Sequence, residues 1–345
     1  MLLALSVAHA NGAANPEIIR FGVADIGIGG KPVAGGTSVN LVHIRGLLDE
    51  EFKKDGIKVE WSFFKGAGPA VNESIANGQL DFAWQGDLPA IIARAGGLKT
   101  KLILATDKFQ PTYLVVPADS PAKSIEDLKG RKVAIFKGTN LQLVAIRVYE
   151  GLGLTERDFK TINMDQPTIQ TALATKDIEG GWLGAQAFNL VDKGIARILY
   201  ATNGPSTKPV RRTIHVLVTE DFEKQQPRIV QRVVNTILKE AAWLADDKHR
   251  DEAYALWSRS GIAAAAYKRD QDADFALRHN PLIDELFITH YKEAADASFK
   301  NRLIRKPVEV DSWFETKYLK QGLKDLKLEK LWPEFDAGGK PRPIK

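Results

Sequence analysis

The sequence contains no cysteine, which excludes disulfides, cysteine-based zinc sites and thiol chemistry. No stretch approaches the ~20 consecutive apolar residues that span a bilayer. Charge of one sign is not concentrated anywhere. Lys and Arg number 48 against 43 Asp and Glu, a formal net charge of +5, and they are spread along the chain. That pattern lacks the basic stripe of a nucleic-acid binder, while a modest positive excess suits a protein that collects anions. Enzyme signatures are missing as well. Gly29-Gly30-Lys31 is followed by Pro32, so a P-loop lacks its Ser/Thr, and Gly66-Ala67-Gly68 is followed by Pro-Ala-Val, without the third glycine of a dinucleotide fingerprint. There is no G-x-S-x-G elbow. The six histidines form no H-E-x-x-H pair, and His43 and His215 sit in predicted elements as structural residues. The chain is therefore expected to have no catalytic residue, no metal and no cofactor.

What is present is ordinary globular material: 345 residues, 44% hydrophobic and 26% charged. That length implies two or more domains, each able to bury its own core. The first ten residues, MLLALSVAHA, are a short apolar run ending in Ala8-His9-Ala10, an A-x-A-like cleavage site without a preceding basic region. They read as a signal-peptide remnant, so the mature chain is expected to start near Asn11 and to be periplasmic.

Strand and helix patterns alternate from about residue 18. Predicted strands cover 18–23, 59–64, 81–84 and 102–105, then 132–136, 161–164, 178–183 and 195–200. Leu41, Ile44, Leu47, Leu48 and Phe52 recur at helical spacing, with Gly56 ending that helix. Two successive βαβ sets imply two α/β lobes with largely parallel sheets. From Pro227 onward the spacing of Ile229, Val233, Ile237 and Ala241 is helical, and the tail after Trp332 reads as surface.

Four Gly-rich loops each follow a strand and open a helix: Gly35-Gly36-Thr37-Ser38, Ala67-Gly68-Pro69, Gln85-Gly86-Asp87 and Lys137-Gly138-Thr139-Asn140. The first turn of a helix offers unpaired N–H groups and the positive end of the macrodipole, and glycine lets a ligand approach the backbone. Several such starts converging on one cleft hold an anion without a metal; any single one is also an ordinary turn. Asp87 reads as an N-cap; facing the cleft instead, it would favour a ligand that also carries an amine. Arg211-Arg212 precedes the apolar run 214–218, and Arg211 is taken as the candidate for bidentate pairing with a sulfonate or carboxylate, with two solvated surface charges as the alternative. Trp84 and Trp182, at strand ends, wall either the cleft or the core.

Longer stretches resemble the periplasmic solute-binding proteins of aliphatic sulfonate, nitrate and taurine importers. They are Phe63-Phe64-Lys65-Gly66-Ala67-Gly68-Pro69, Ile75-Ala-Asn-Gly-Gln-Leu-Asp-Phe82, Gln85-Gly-Asp-Leu-Pro-Ala-Ile-Ile-Ala-Arg-Ala-Gly96, Asp119-Ser-Pro and Ser124-Ile-Glu-Asp-Leu-Lys-Gly-Arg-Lys-Val-Ala-Ile135, followed by Lys137-Gly-Thr139. The resemblance implies a type II periplasmic-binding-protein fold: two lobes joined by two crossovers, with 17–108 and 216–345 in the first and 109–215 in the second. It places Thr37, Ser38, Gly68, Pro69, Gln85, Gly86, Asp87, Gly138, Thr139 and Asn140 around a small organic anion of the sulfonate or taurine class. It further implies hinge closure, a monomer, and a membrane permease of an ABC importer as partner. The chain departs from that family where many sulfonate binders show a Trp-x-x-Trp-Asp-Pro-like run: Gly181-Trp182-Leu183-Gly184-Ala185-Gln186 stands there, small residues that open room for a bulkier ligand. Relatives that build the thiamine pyrimidine share the fold, but their Cys-rich iron-binding motif is absent here. Nitrate binding and a sensor role are the remaining alternatives.

Overall fold

The computed structural model describes residues 15–203, 210 and 212–344. The signal-peptide reading of residues 1–10 and the Arg211 assignment lie outside the described residues. The strands, in chain order, are β1 (Ile18–Val23), β2 (Lys58–Phe63), β3 (Phe82–Gly86), β4 (Thr100–Gln110), β5 (Tyr113–Pro117), β6 (Lys132–Ile135), β7 (Lys160–Asn163), β8 (Gly180–Leu183), β9 (Ala196–Ala201) and β10 (Arg212–Thr219). They form two five-stranded sheets, ordered β2-β1-β3-β10-β4 and β7-β6-β8-β5-β9. In the first sheet β1 pairs in parallel with β2 and β3, while β10 lies antiparallel to β3 and β4. The second repeats this plan, with β6 parallel to β7 and β8, and β5 antiparallel to β8 and β9. Each sheet is thus mostly parallel. Its single reversed strand is the first one formed after the chain arrives from the other lobe, at Pro111-Thr112 and again before Arg212.

Sequence periodicity misses β5. Its five residues are all buried, so YLVVP shows no in–out alternation, and its proline closes the run. The helix expected across 41–52 is two helices, Ser38–Ile44 and Leu47–Phe52. Gly46, at φ 66°, takes the left-handed conformation that breaks them.

One core lies under the first sheet, where Phe21, Val216 and Val218 meet Ile229, Val233 and Ile237 of helix Pro227–Leu244. A second core fills the other lobe around Trp182, Tyr149 and Val133. A third cluster joins Tyr113, Ala134 and Leu183 of the second sheet to Trp257, Tyr267 and Phe275. The helical segments between 250 and 278 are thereby packed at the junction of the lobes, where they wall the cleft. Among the described residues no helix is long and apolar enough to cross a membrane.

Candidate functional site

The carboxyl ends of the central strands of both sheets open onto one cleft, the place where open α/β sheets bind ligands. Its inner chamber has a volume of about 90 Å³, space for roughly half a dozen waters or a small anion. A smaller chamber of about 40 Å³ adjoins it.

Of the loop residues expected there, Gly68, Gln85, Gly86, Thr139 and Asn140 line the inner chamber. Helices Ala67–Ala76, Asp87–Ala95 and Asn140–Gly151 start at the chamber without a bond from an N-cap side chain, although Ala67, Leu88 and Gln142 N–H already donate to Phe64 O, Asp87 Oδ1 and Thr139 O. Two glycines are required by contact. A Cβ on Gly68 would stand 2.3 Å from the Pro89 ring, and one on Gly86 would stand 2.3 Å from the Asn140 amide nitrogen on the opposite lobe. Gly86 therefore permits the closest approach of the two lobes. Ala67, on the same wall, holds φ 50°, an uncommon left-handed conformation for a residue with a side chain.

Five expected residues, Asp87 among them, are absent from the chamber lining. Thr37 is fully buried and closes on Asn40, its N–H and Oγ1 donating to Asn40 Oδ1 at 3.1 and 3.0 Å. Ser38 is buried behind it, and Gly35 and Gly36 present that loop to the chamber instead. Gly138 faces the Pro69 ring, 3.0 Å from where its Cβ would lie, so this pair meets across the lobes outside the lining.

Asp87 is the clearest correction. It is the first residue of its helix, with Gly86 as N-cap, and its carboxylate is fully engaged. Oδ2 accepts from His290 Nε2 at 2.8 Å and from Thr213 N–H at 3.1 Å, while Oδ1 accepts from Leu88 N–H at 2.7 Å. Burial pushes this carboxyl up, but the His290 hydrogen bond and charge, with the Thr213 and Leu88 N–H groups, outweigh it and hold it below the usual range. Asp87 fastens the cleft floor and does not reach the ligand space.

Among the described residues, the arginine that lines the chamber is Arg212, the first residue of β10. It is 6% exposed. Nη2 donates to Pro111 O at 2.8 Å and Nη1 to Asn140 Oδ1 at 3.5 Å; Nε is buried without a partner. Burial pulls its pKa down to about 10, against the upward pull of Asp270 and Asp107. A buried, incompletely paired guanidinium is expensive unless something completes it. Gly184 stands beside it, its Cβ position 3.0 Å from Arg212 Nη2. The small residues after β8 thus make room for the guanidinium, where sequence reasoning reserved the space for a bulkier ligand.

Around Arg212 runs a buried charge network that sequence reasoning did not find. Arg278 is fully buried, with Nε and Nη2 on Asp107 Oδ2 at 3.0 and 2.7 Å and Nη1 on Asp270 Oδ2 at 2.8 Å. Tyr113 Oη donates to Asp270 Oδ1 at 2.9 Å. Two arginines and two aspartates leave this group neutral overall.

Asp25, two residues past the end of β1, lines both chambers. Among the described residues its carboxylate accepts one hydrogen bond, from Ile26 N–H at 2.8 Å. Burial pushes its pKa up from 3.8 to about 6, opposed by the Ile26 N–H and Arg212. A carboxyl raised in the folded state contributes stability fully present below pH 3.8 and lost as pH rises through about 6. Asp25→Asn is therefore expected to melt above the wild type at pH 8, with the gap shrinking toward pH 4; an offset independent of pH would contradict this assignment.

Trp84 joins the cleft wall and donates Nε1 to Thr106 Oγ1 at 3.1 Å. Trp182 is fully buried and donates to Tyr149 Oη at 2.7 Å, so it belongs to the second core. His215 is likewise a core residue, its ring against Tyr291 and Trp313.

Comparison with known proteins places this architecture. The family model described as NMT1/THI5 like matches residues 52–250. A Bacillus subtilis (strain 168) protein, provisionally named an aliphatic sulfonates-binding protein, is 26% identical over 81% of this chain and 83% of its own length. The crystal structure of a Methylobacillus flagellatus KT protein, provisionally described as the periplasmic sulfonate-binding protein SsuA of a sulfonate ABC transporter, superposes with a TM-score of 0.78. It is 32% identical and covers 92% of this chain and 97% of that one. The alkanesulfonate-binding protein SsuA of Xanthomonas axonopodis pv. citri, bound to MOPS, shares the fold at a TM-score of 0.71 with 23% identity, over 88% of this chain and all of its own. The chain belongs to the NMT1/THI5-like family and has the two-lobed fold of periplasmic sulfonate-binding proteins.

Proposed function

We propose that this protein is the extracytoplasmic solute-binding component of an ABC importer and that it captures an organosulfonate between its lobes. Arg212 carries the reading: a buried guanidinium with an unpartnered Nε, set in a chamber also lined by three uncapped helix starts. A sulfonate has three acceptor oxygens. It can take a fork of guanidinium N–H bonds and still accept from backbone N–H groups on the opposite wall. The related proteins above are named for binding, and this chain acts by binding.

Closure follows from the way the site is divided. Gln85, Gly86 and Arg212 come with the first sheet, Thr139, Asn140 and Gly184 with the second, so the ligand gains its full set of partners only when the lobes meet. A ligand that contacts both lobes favours the closed arrangement by its differential affinity, and the closed form is what a membrane permease would recognise. The hinge includes the crossing at 111–112, and the mature protein works in the periplasm after removal of a signal peptide.

A thermal-shift screen of organosulfonates, nitrate, sulfate esters and carboxylates tests the class. A ligand held at 100 times its dissociation constant is expected to stabilise the protein by about 2.7 kcal/mol. Stabilisation by nitrate or carboxylates with none from any sulfonate would reassign the ligand.

A further inference from the structure

The chamber that would receive a sulfonate has a carboxylate in its wall. Asp25 lines this inner chamber together with Arg212, and it also lines the adjoining outer one. Within the described residues its carboxylate accepts only from the next N–H, Ile26, at 2.8 Å. The titratable and charged groups that face it have commitments of their own. Arg212, from β10, answers Asp270 and Asp107 as well as Asp25. Helix Ala264–Gln271 brings Asp270, tied to Arg278 and Tyr113, and Tyr267, whose hydroxyl meets Ser260 Oγ at 2.9 Å. In the outer chamber Lys65 Nζ stands 3.4 Å from Asp165 Oδ2. Among the described residues no cation is ion-paired with Asp25. Beside it the outer chamber presents Ile26, Ile28, Phe64, Phe136 and Ile262, interleaved with glutamine amides.

Resting on the sulfonate reading above, we propose that Asp25 binds the ligand as its neutral acid, donating its O–H to a sulfonate oxygen, so that the protein takes up one proton with each anion. A sulfonate is the anion of a strong acid and brings no proton, so the proton comes from solvent and returns to it on release. A carboxylate and a sulfonate in one chamber of about 90 Å³ repel each other, and both can only accept hydrogen bonds. Protonation removes the repulsion and turns Asp25 into a donor. Burial has already moved the empty site toward this state, raising the Asp25 pKa to about 6 against the Ile26 N–H and Arg212. An anionic head group beside it, and an apolar tail that displaces water from the outer chamber, both push it further up. The sign of the pH dependence follows. The complex keeps the proton, whereas the empty protein loses it as pH rises through about 6, so above that pH binding must recover it and affinity falls.

Calorimetric titration of the full chain with butanesulfonate, repeated in buffers of different ionisation enthalpy, counts the proton, and at about pH 7.5 an uptake of about one per anion is expected. The dissociation constant is expected to rise about tenfold per unit between about pH 6.5 and 8 and to level off below about pH 5. Asp25→Asn keeps a neutral donor in the same place and has no proton to gain. It is expected to bind butanesulfonate without uptake, with an affinity that does not follow pH and that exceeds the wild type by about tenfold or more at about pH 8. A merely structural Asp25 would leave the proton count unmoved. Should the variant fail to fold by circular dichroism, the wild-type count decides alone. Butanesulfonate binding to the wild type without proton uptake overturns this proposal and leaves the sulfonate reading standing, as does an uptake that persists in folded Asp25→Asn. Failure of every alkanesulfonate to bind at any pH brings down the sulfonate reading itself, and this proposal with it.

Discussion

Arg212→Ala is expected to weaken organosulfonate binding by about a hundredfold or more, equivalent to about 2.7 kcal/mol. Truncating one side of a buried, hydrogen-bonded charge pair costs about 2–5 kcal/mol, and the Arg212 side chain lines the chamber. Arg212→Lys separates charge from geometry. It keeps the cation but not the planar fork, so it is expected to recover only part of the loss. Titration calorimetry on both variants measures this. Because Arg212 also donates to Pro111 O at the interlobe crossing, circular dichroism of the unliganded variants is needed beside it. A folded Arg212→Ala protein with wild-type affinity would remove Arg212 from the site.

The largest loss of stability is expected at Arg278. Removing this fully buried cation strips Asp107 and Asp270, both buried, of the guanidinium hydrogen-bonded to each of them and leaves Arg212 as the remaining cation of the group. Breaking a buried pair by deleting one partner costs about 3–5 kcal/mol. Burial pushes Asp107 up, and only the Arg278 charge and hydrogen bonds oppose it strongly. Arg278→Met is therefore expected to unfold at markedly lower urea concentration than the wild type. Adding Asp107→Asn and Asp270→Asn to that variant should recover part of the loss, because the stranded charges go with them. A urea midpoint for Arg278→Met within error of the wild type would contradict the network as drawn. Asp270 lines the inner chamber, so the same cluster that stabilises the junction also fixes the position of the wall beside Arg212.

Much of this was legible in the sequence wherever the signal is local. The place of Gly68, Gln85, Gly86, Thr139 and Asn140 in the cleft lining is readable because a strand, a glycine and a helix start follow one another within a few residues, an order that sets them at the carboxyl end of a sheet. The alternation of strands and helices likewise gave two parallel lobes. What escaped depends on contacts between distant parts of the chain. Asp87 looks like a cap or a ligand group from its neighbours, but its partner is His290, 203 residues away. Arg278, Asp270 and Tyr267 lie in stretches that read only as amphipathic helix, and only tertiary packing carries them to the cleft. Arg212 opens β10 two residues before Ile214, which also lines the chamber, a placement set by strand pairing and not by the local sequence. Asp25 had a usable signal, a lone carboxylate just past the end of the first strand, hidden by the attention that the glycines after it attract.

The absence of cysteine supplies the most direct test. The chain holds two methionines and no other sulfur-bearing residue, so anomalous diffraction from crystals grown with a saturating organosulfonate would show at most two protein sulfur peaks, and one, at Met164, from the mature chain. The account predicts one more, inside the inner chamber and within hydrogen-bonding reach of Arg212. A ligand sulfur located outside the cleft, or no additional peak from crystals of a protein saturated in solution, would contradict it.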